Sequence, residues 1–261
     1  MAIDRLNPGK RFDEVIFPAL CAHRGLSGLM PESCVPGFAA GIALGADEIE
    51  FDIRLTKDRR LVVSHDNKVQ RVSDGSGNIS DLTLAELKKL RLRAPGGESD
   101  WEVTYTTPEE VFTVLGGFCV MNIHFKNLKE ETAFAVGEMK KLTDRFSLQD
   151  SVYFSASEEE TMRLFAGMAP EIPRNAIEPW REDLDIVDFA VKYGCPRCQL
   201  HKGLFDAAKV KRAAGAGVAC NVFWADDEET AREYLDMGVS VLLTNRTDRL
   251  TGVIEEYRRR L

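Results

Sequence analysis

Residues 48–65 read EIEFDIRLTKDRRLVVSH. Glu48, Glu50 and Asp52 alternate with Ile49, Phe51 and Ile53, which is the period of a β-strand. A second apolar run, Leu61 to His65, follows the polar TKDRR without room for a helix between them. Elsewhere the short apolar runs are separated by longer amphipathic stretches. The other runs are Ala19 to Ala22, Phe118 to Phe125, Val152 to Phe154, Arg174 to Ile177, Cys195 to Leu200, Val218 to Phe223 and Val239 to Leu243. Helical periodicity occupies Leu128 to Leu142, Glu158 to Met168, Glu182 to Tyr193, Leu204 to Ala214, Asp227 to Asp236 and Arg246 to Arg260. Setting Leu61 to His65 aside as an extra strand leaves eight β/α units, the pattern of an α/β chain folded as a (β/α)₈ TIM barrel. A doubly wound open sheet is the alternative, because a sequence does not display closure.

One polar stretch, Asp66 to Thr107, breaks the alternation with DGSGN turn chemistry, a short helix near Leu84 to Leu90 and the glycine-rich PGGES. It reads as an insertion, residues 66–107, within a single barrel domain spanning 1–261, and as too small for a core of its own. Ser33 suits an N-cap for the helix that follows it.

The 261 residues carry 34 Lys+Arg against 42 Asp+Glu, a formal net charge of −8. An acidic chain has no basic face for phosphate neutralisation, so no nucleic-acid partner is expected. The chain contains no apolar stretch of the roughly 18 residues that a membrane span needs, and MAIDRLNPGKRFDEVIFPAL lacks the apolar core of a secretory signal. The expectation is a cytoplasmic protein without membrane insertion. Cys21, Cys119 and Cys220 lie inside apolar runs and read as small buried hydrophobes, whereas Cys195 and Cys198 form a lone C-P-R-C, a pair that can bind metal or cycle redox but that no second pair or matching histidine cluster accompanies.

Chemistry gathers at the ends of the strands. His23, His65 and His124 all fall there, and in a (β/α)₈ barrel the C-terminal strand ends converge on one mouth. Glu48, Glu50 and Asp52 share one face of their strand, yet alternation leaves open whether that face points inward or outward. The position just ahead of His65 favours a divalent-metal site formed by Glu50 and Asp52. Asn122, His124 and Lys126 share the next face in NIHFK. Lys126 and Arg24 suit an anionic substrate. A metal, two histidines and two cations together describe a phosphodiester-cleaving site, in which one histidine activates the nucleophile and the other protonates the leaving alcohol. His201 ends a strand and is either a mouth or a loop residue. Trp224 and Phe154 either wall the pocket or pack the barrel. Ser155 follows the fourth barrel strand but has no base nearby in sequence to make it a nucleophile.

AHRGLSGLMPES followed by GADEIEFDIRLTKDRRLVVSHD resembles the glycerophosphodiester phosphodiesterase family, whose pattern runs H-R-G, P-E-N, G-A-D-x-x-E-x-D and T-x-D-x-x-x-V-x-x-H-D. His23, Arg24 and Gly25, Pro31 and Glu32, Gly45 to Asp47, Glu50, Asp52, Thr56, Asp58, Val62, His65 and Asp66 carry the match. YTTPEEVF and Trp224 extend it more loosely downstream. The resemblance implies a TIM barrel that hydrolyses small soluble glycerophosphodiesters to an alcohol and glycerol 3-phosphate. His23 and His65 would be the acid–base pair, and Glu50 and Asp52 would hold one Mg²⁺ or Ca²⁺ ion. Arg24, Glu32 and Lys126 would support the phosphate, with Trp224 against the substrate. A cyclic-phosphate-releasing relative and a phospho-ligand-binding barrel without turnover are the rival readings.

The sequence departs from the family at several points. His124 stands where the family places a third metal carboxylate, and an imidazole suits Mn²⁺, Co²⁺ or Zn²⁺ better than Mg²⁺ or Ca²⁺. Ser33, Ser240, Asn245 and Thr247 also differ, and Asp226 stands where Asn is usual.

Overall fold

The computed structural model describes residues 10–97, 102–126, 128–179 and 184–260. The beginning of the N-terminal segment, the start of the expected helix from Glu182, and Glu98 and Ser99 of PGGES lie outside the described residues. Among the described residues nine strands form: β1 (Ala19–His23), β2 (Glu48–Leu55), β3 (Leu61–Val63), β4 (Val120–Phe125), β5 (Val152–Ala156), β6 (Arg174–Ile177), β7 (Arg197–His201), β8 (Ala219–Phe223) and β9 (Val241–Thr244). Each overlaps one of the apolar runs of the sequence, and β1, β5, β7 and β9 run one or two residues past its end. β1 pairs in parallel with both β2 and β9, which closes the sheet, and β2 pairs directly with β4. The result is a closed parallel (β/α)₈ barrel, with β3 outside the parallel order.

Helices α1 (Val35–Ala43), α2 (Leu84–Leu87), α3 (Pro108–Leu115), α4 (Thr132–Phe146), α5 (Glu159–Met168), α6 (Ile186–Lys192), α7 (Ala207–Gly215), α8 (Glu228–Asp236) and α9 (Thr247–Arg258) are the α-helices of the described residues. Every helix except α2 connects or follows barrel strands. Their apolar stripes pack on the outward-facing strand residues, as where Phe125, Phe154 and Phe165 meet at ring-centroid distances of 4.9 to 5.4 Å. Each such buried ring contributes about 1.5–3 kcal/mol. Phe154 therefore belongs to this outer core and does not wall a pocket. None of the described helices is long and apolar enough to cross a membrane.

Local chemistry explains the helix starts. Thr107 and Glu110 form a capping box around α3, with Pro108 in its first turn. Cys34, rather than Ser33, caps α1, and its sulfur accepts from the Gly37 amide. Ser33 instead takes a left-handed conformation (φ 59°), so it turns the chain ahead of the cap.

Inside the barrel the strand alternation is resolved. Ile49, Phe51 and Ile53 join the core beneath the helices, and Glu48, Glu50 and Asp52 point inward. At the floor, Glu48 accepts from Arg197 at 2.7 Å and from the Tyr153 hydroxyl at 2.7 Å. The Phe12 ring covers the Arg197 guanidinium at 4.2 Å, so the segment before β1 plugs the bottom. The middle is a polar network rather than branched aliphatics. Asn122 donates to Gln199 at 2.9 Å, Asn175 donates to Ser155 at 2.9 Å, and Ser155 donates to Asn122. Ser155 is thus fully buried within this network.

Within the Asp66 to Thr107 stretch, Val69, Val72, Ile79, Leu87, Leu92 and Tyr105 gather around Cys34 and Val62 of the barrel into a small apolar cluster. Apolar residues spaced through a polar stretch give no periodic signal, which is why the sequence shows no core there.

Candidate active site

β3 runs antiparallel to the end of β2, with Leu61 opposite Leu55 and Val63 opposite Ile53. The chain thus climbs along β2, turns over TKDRR and comes back down. The Ser64 amide donates to the Asp52 carbonyl at 2.9 Å, which sets His65 at the mouth beside Asp52. His65 therefore reaches the site two residues beyond a returning strand, not at the rising end of a strand as its place in the sequence suggests. His23 ends β1, and the next two residues turn the chain sharply. Arg24 is left-handed (φ 55°), and Gly25 (φ 84°) packs so closely that a Cβ would lie 2.7 Å from the Gly37 carbonyl carbon.

Every predicted site residue except Glu32 lines one cavity of about 480 Å³ at the C-terminal strand ends. These are His23, Arg24, Glu50, Asp52, His65, His124, Lys126 and Trp224. Glu32 stands behind Arg24, with its Oε1 3.4 Å from an Arg24 nitrogen. His201 also lines the cavity, with Nε2 2.6 Å from the Glu178 carbonyl oxygen. Cys195 and Cys198 are buried away from it, and Cys198 approaches Cys220, at 3.8 Å, rather than Cys195.

Glu50, Asp52 and His124 bring one ligand atom each to within 4.8 Å of one another. The β2–β4 register explains this, because Asp52 lies directly opposite His124 and Glu50 lies one pleat below. Lys126 Nζ and His124 Nδ1 each approach Asp52 Oδ1 at 2.8 Å, and Arg24 Nε is 3.7 Å from Oδ2. Neither Asp52 oxygen receives an aligned hydrogen bond, although both are buried. Two carboxylates and an imidazole around orphaned acceptors form a donor set that fits a divalent cation.

Burial, reinforced by the adjacent Asp52, pushes Glu50 up to about 8. Burial alone would raise Asp52 too, but Lys126, His124 and Arg24 outweigh it and hold Asp52 well below the usual carboxylate range. Burial and then Lys126 lower His124 to about 4, so its imidazole is neutral and able to ligate. Burial and then Arg24 lower His23 to about 3. His65 is also lowered, chiefly by burial.

The two candidate acid–base histidines have different partners. His65 Nδ1 is 2.6 Å from the Asp66 carboxylate. His23 Nδ1 is 2.8 Å from Asn245 Oδ1. Asn245 in turn donates its side-chain amide to Asp226 Oδ2 at 2.8 Å and its backbone amide to Asp226 Oδ1 at 2.7 Å. A carboxylate only accepts, so the Asn245 NH₂ faces Asp226 and its oxygen faces His23. His23 Nδ1 is then the donor, and the bare nitrogen of its neutral ring is Nε2, 3.8 Å from Glu50. Trp224 lies parallel to His23, at 6.3 Å and 7°, and is 41% exposed. Asp226 and Asn245 were visible in the sequence as two unrelated departures. They fall after β8 and β9, neighbouring strands of one barrel, and that adjacency was the signal linking them.

The model of the glycerophosphoryl diester phosphodiesterase family matches residues 23–249. A glycerophosphodiester phosphodiesterase of Caldanaerobacter subterraneus subsp. tengcongensis is 28% identical over 90% of this chain and 97% of its own. One of Bacillus altitudinis is 28% identical over 91% and 98%. Among solved structures, an Oleispira antarctica phosphodiesterase in complex with the product sn-glycerol-3-phosphate superposes with a TM-score of 0.84 at 23% identity, covering 92% of this chain and 97% of the other. A Thermotoga maritima glycerophosphodiester phosphodiesterase gives 0.73 at 22% identity, covering 93% and 100%.

Proposed function

Because the chain belongs to the glycerophosphoryl diester phosphodiesterase family, we propose that it hydrolyses small glycerophosphodiesters to an alcohol and glycerol 3-phosphate. The observation that carries this reading is the convergence of His23 and His65, with Arg24 and Lys126, on one cavity beside the Glu50–Asp52–His124 cluster. The relatives of matching length bear the name of this activity, and one structural neighbour holds its product.

Glu50, Asp52 and His124 are the residues that would hold a divalent ion, which when bound polarises the phosphoryl oxygens. With one imidazole in place of a third anion, the donor set favours Mn²⁺, Co²⁺ or Zn²⁺ over Mg²⁺ or Ca²⁺. Arg24 and Lys126 bring positive charge to the phosphate without competing as ligands. His23 presents bare Nε2 to the cavity and takes a proton from the attacking water, whose oxygen bonds to phosphorus as the bond to the leaving alcohol breaks. His65, where the Asp66 carboxylate offsets only part of the lowering by burial, donates a proton from its protonated form to the leaving alcohol oxygen. Trp224 offers an apolar wall to the carbon skeleton of the substrate.

The test is ³¹P NMR of the products formed from a panel of glycerophosphodiesters by chelator-stripped protein resupplied with Mg²⁺, Ca²⁺, Mn²⁺, Co²⁺ or Zn²⁺ in turn. Glycerol 3-phosphate as the end product supports the reading. A cyclic phosphate that accumulates unopened, or binding without turnover, refutes it.

A further inference from the structure

We propose that Arg71, from the insertion and outside the cavity lining, is a positioning residue that holds His65 and Arg24 in their working orientations. Its guanidinium is used on two edges. Nε donates to Asp66 Oδ2, and the two Nη groups donate to Glu32 Oε2 and Oε1 at 2.8 and 2.7 Å. Each of those carboxylates also reaches a residue of the cavity. Asp66 Oδ1 is 2.6 Å from His65 Nδ1, and Glu32 Oε1 is 3.4 Å from Arg24 Nη1. Arg71 thus joins the candidate proton donor to the candidate phosphate-binding cation through one rigid fork, a task that the point charge of a lysine does not reproduce.

The insertion is built to place this fork. Val69 and Val72, on either side of Arg71, are buried in the insertion's apolar cluster, and Ser73 Oγ donates to the Val69 carbonyl at 2.8 Å. The backbone is therefore pinned while the Arg71 side chain, 48% exposed, spans Asp66 and Glu32. Without Arg71, Asp66 loses the contact opposite His65 and is free to rotate. Glu32 loses both of its strong donors and turns its charge on Arg24, which draws that cation away from the phosphate. The first effect lowers kcat and the second raises KM.

This inference rests on the reading of His65 as proton donor, and the experiment separates the two. Arg71→Ala, Arg71→Lys, His65→Ala and the double variant Arg71→Ala/His65→Ala would be compared on a glycerophosphodiester of ethanolamine and on one of p-nitrophenol, whose leaving group needs no proton. Arg71→Ala is expected to lower kcat on the ethanolamine ester by about 10- to 100-fold, the range seen when the partner that orients a functional histidine is removed. The loss shrinks on the p-nitrophenyl ester. Arg71→Lys recovers only part of it. In the His65→Ala background the kcat effect of Arg71→Ala disappears while its KM effect persists. Should His65→Ala show no dependence on the leaving group, the donor role fails, but the cycle still reads the positioning. Arg71→Ala costing kcat the same factor in both backgrounds, or changing only thermal stability, overturns the inference.

Discussion

His124 Nδ1 and Asp52 Oδ1 lie 2.8 Å apart, directly opposite each other across the β2–β4 ladder. Burial and Lys126 keep the imidazole neutral, and three cationic or imidazole groups keep the carboxylate ionised. The pair thus stands in the protonation states that metal ligation requires. Replacing the imidazole with a carboxylate, His124→Glu, adds an anion and a hard oxygen donor to the cluster. Mg²⁺ is then expected to bind at least about tenfold more tightly, a change of 1.4 kcal/mol, and Zn²⁺ more weakly. Calorimetric titration of the stripped protein measures both, and unchanged affinities would place the ion elsewhere.

Asn245 is the acceptor that makes His23 Nδ1 a donor, and Asp226 fixes which way Asn245 faces. Asn245→Leu should cost about 100-fold in kcat, the low end of what acid–base catalysis contributes, with KM little changed. Asp226→Ala should cost less, because Asn245 then samples both amide orientations. Steady-state kinetics on one diester checks this, and a change confined to KM would argue against the tautomer role.

The barrel floor carries a buried ion pair, with Glu48 fully buried and Arg197 2% exposed. Arg197→Met leaves Glu48 without its cation, and breaking such a pair costs about 3–5 kcal/mol. Urea denaturation of the variant measures it. A loss below about 1 kcal/mol, the worth of an exposed pair, would contradict the placement of Glu48 inside the barrel.

Glu159, at the start of α5, is lowered from 4.5 to about 2 by Lys192 and then Tyr193, both at the end of α6. A carboxyl depressed on folding adds stability that is present above its unfolded value and is lost as pH falls through its folded one. Glu159→Gln should therefore lower Tm at pH 7, and the gap should close as pH falls from 4.5 towards about 2. Parallel melting curves across that window decide it, and a constant gap would mean that Glu159 acts by packing instead.

The strands were legible because apolar, β-branched runs are a local property, and so were the histidines at their ends. The inward direction of Glu48, Glu50 and Asp52 was not, since both faces of a barrel strand are buried. Arg197 and Tyr153, which settle it for Glu48, lie 149 and 105 residues away along the chain. The helix at Pro108 went unread although Thr107, Pro108 and Glu110 form a recognisable cap. Arg71 had no signal at all, because its role depends on Asp66 and Glu32 converging across the mouth.

The most direct test of the account is the rate of glycerol 3-phosphate release from a glycerophosphodiester of ethanolamine, measured with the preferred metal for the intact protein and for His23→Ala. The account predicts turnover by the intact protein and a loss of about 10²–10⁴-fold in the variant. Equal rates in the two, or no release by a folded, metal-supplied protein, would contradict it.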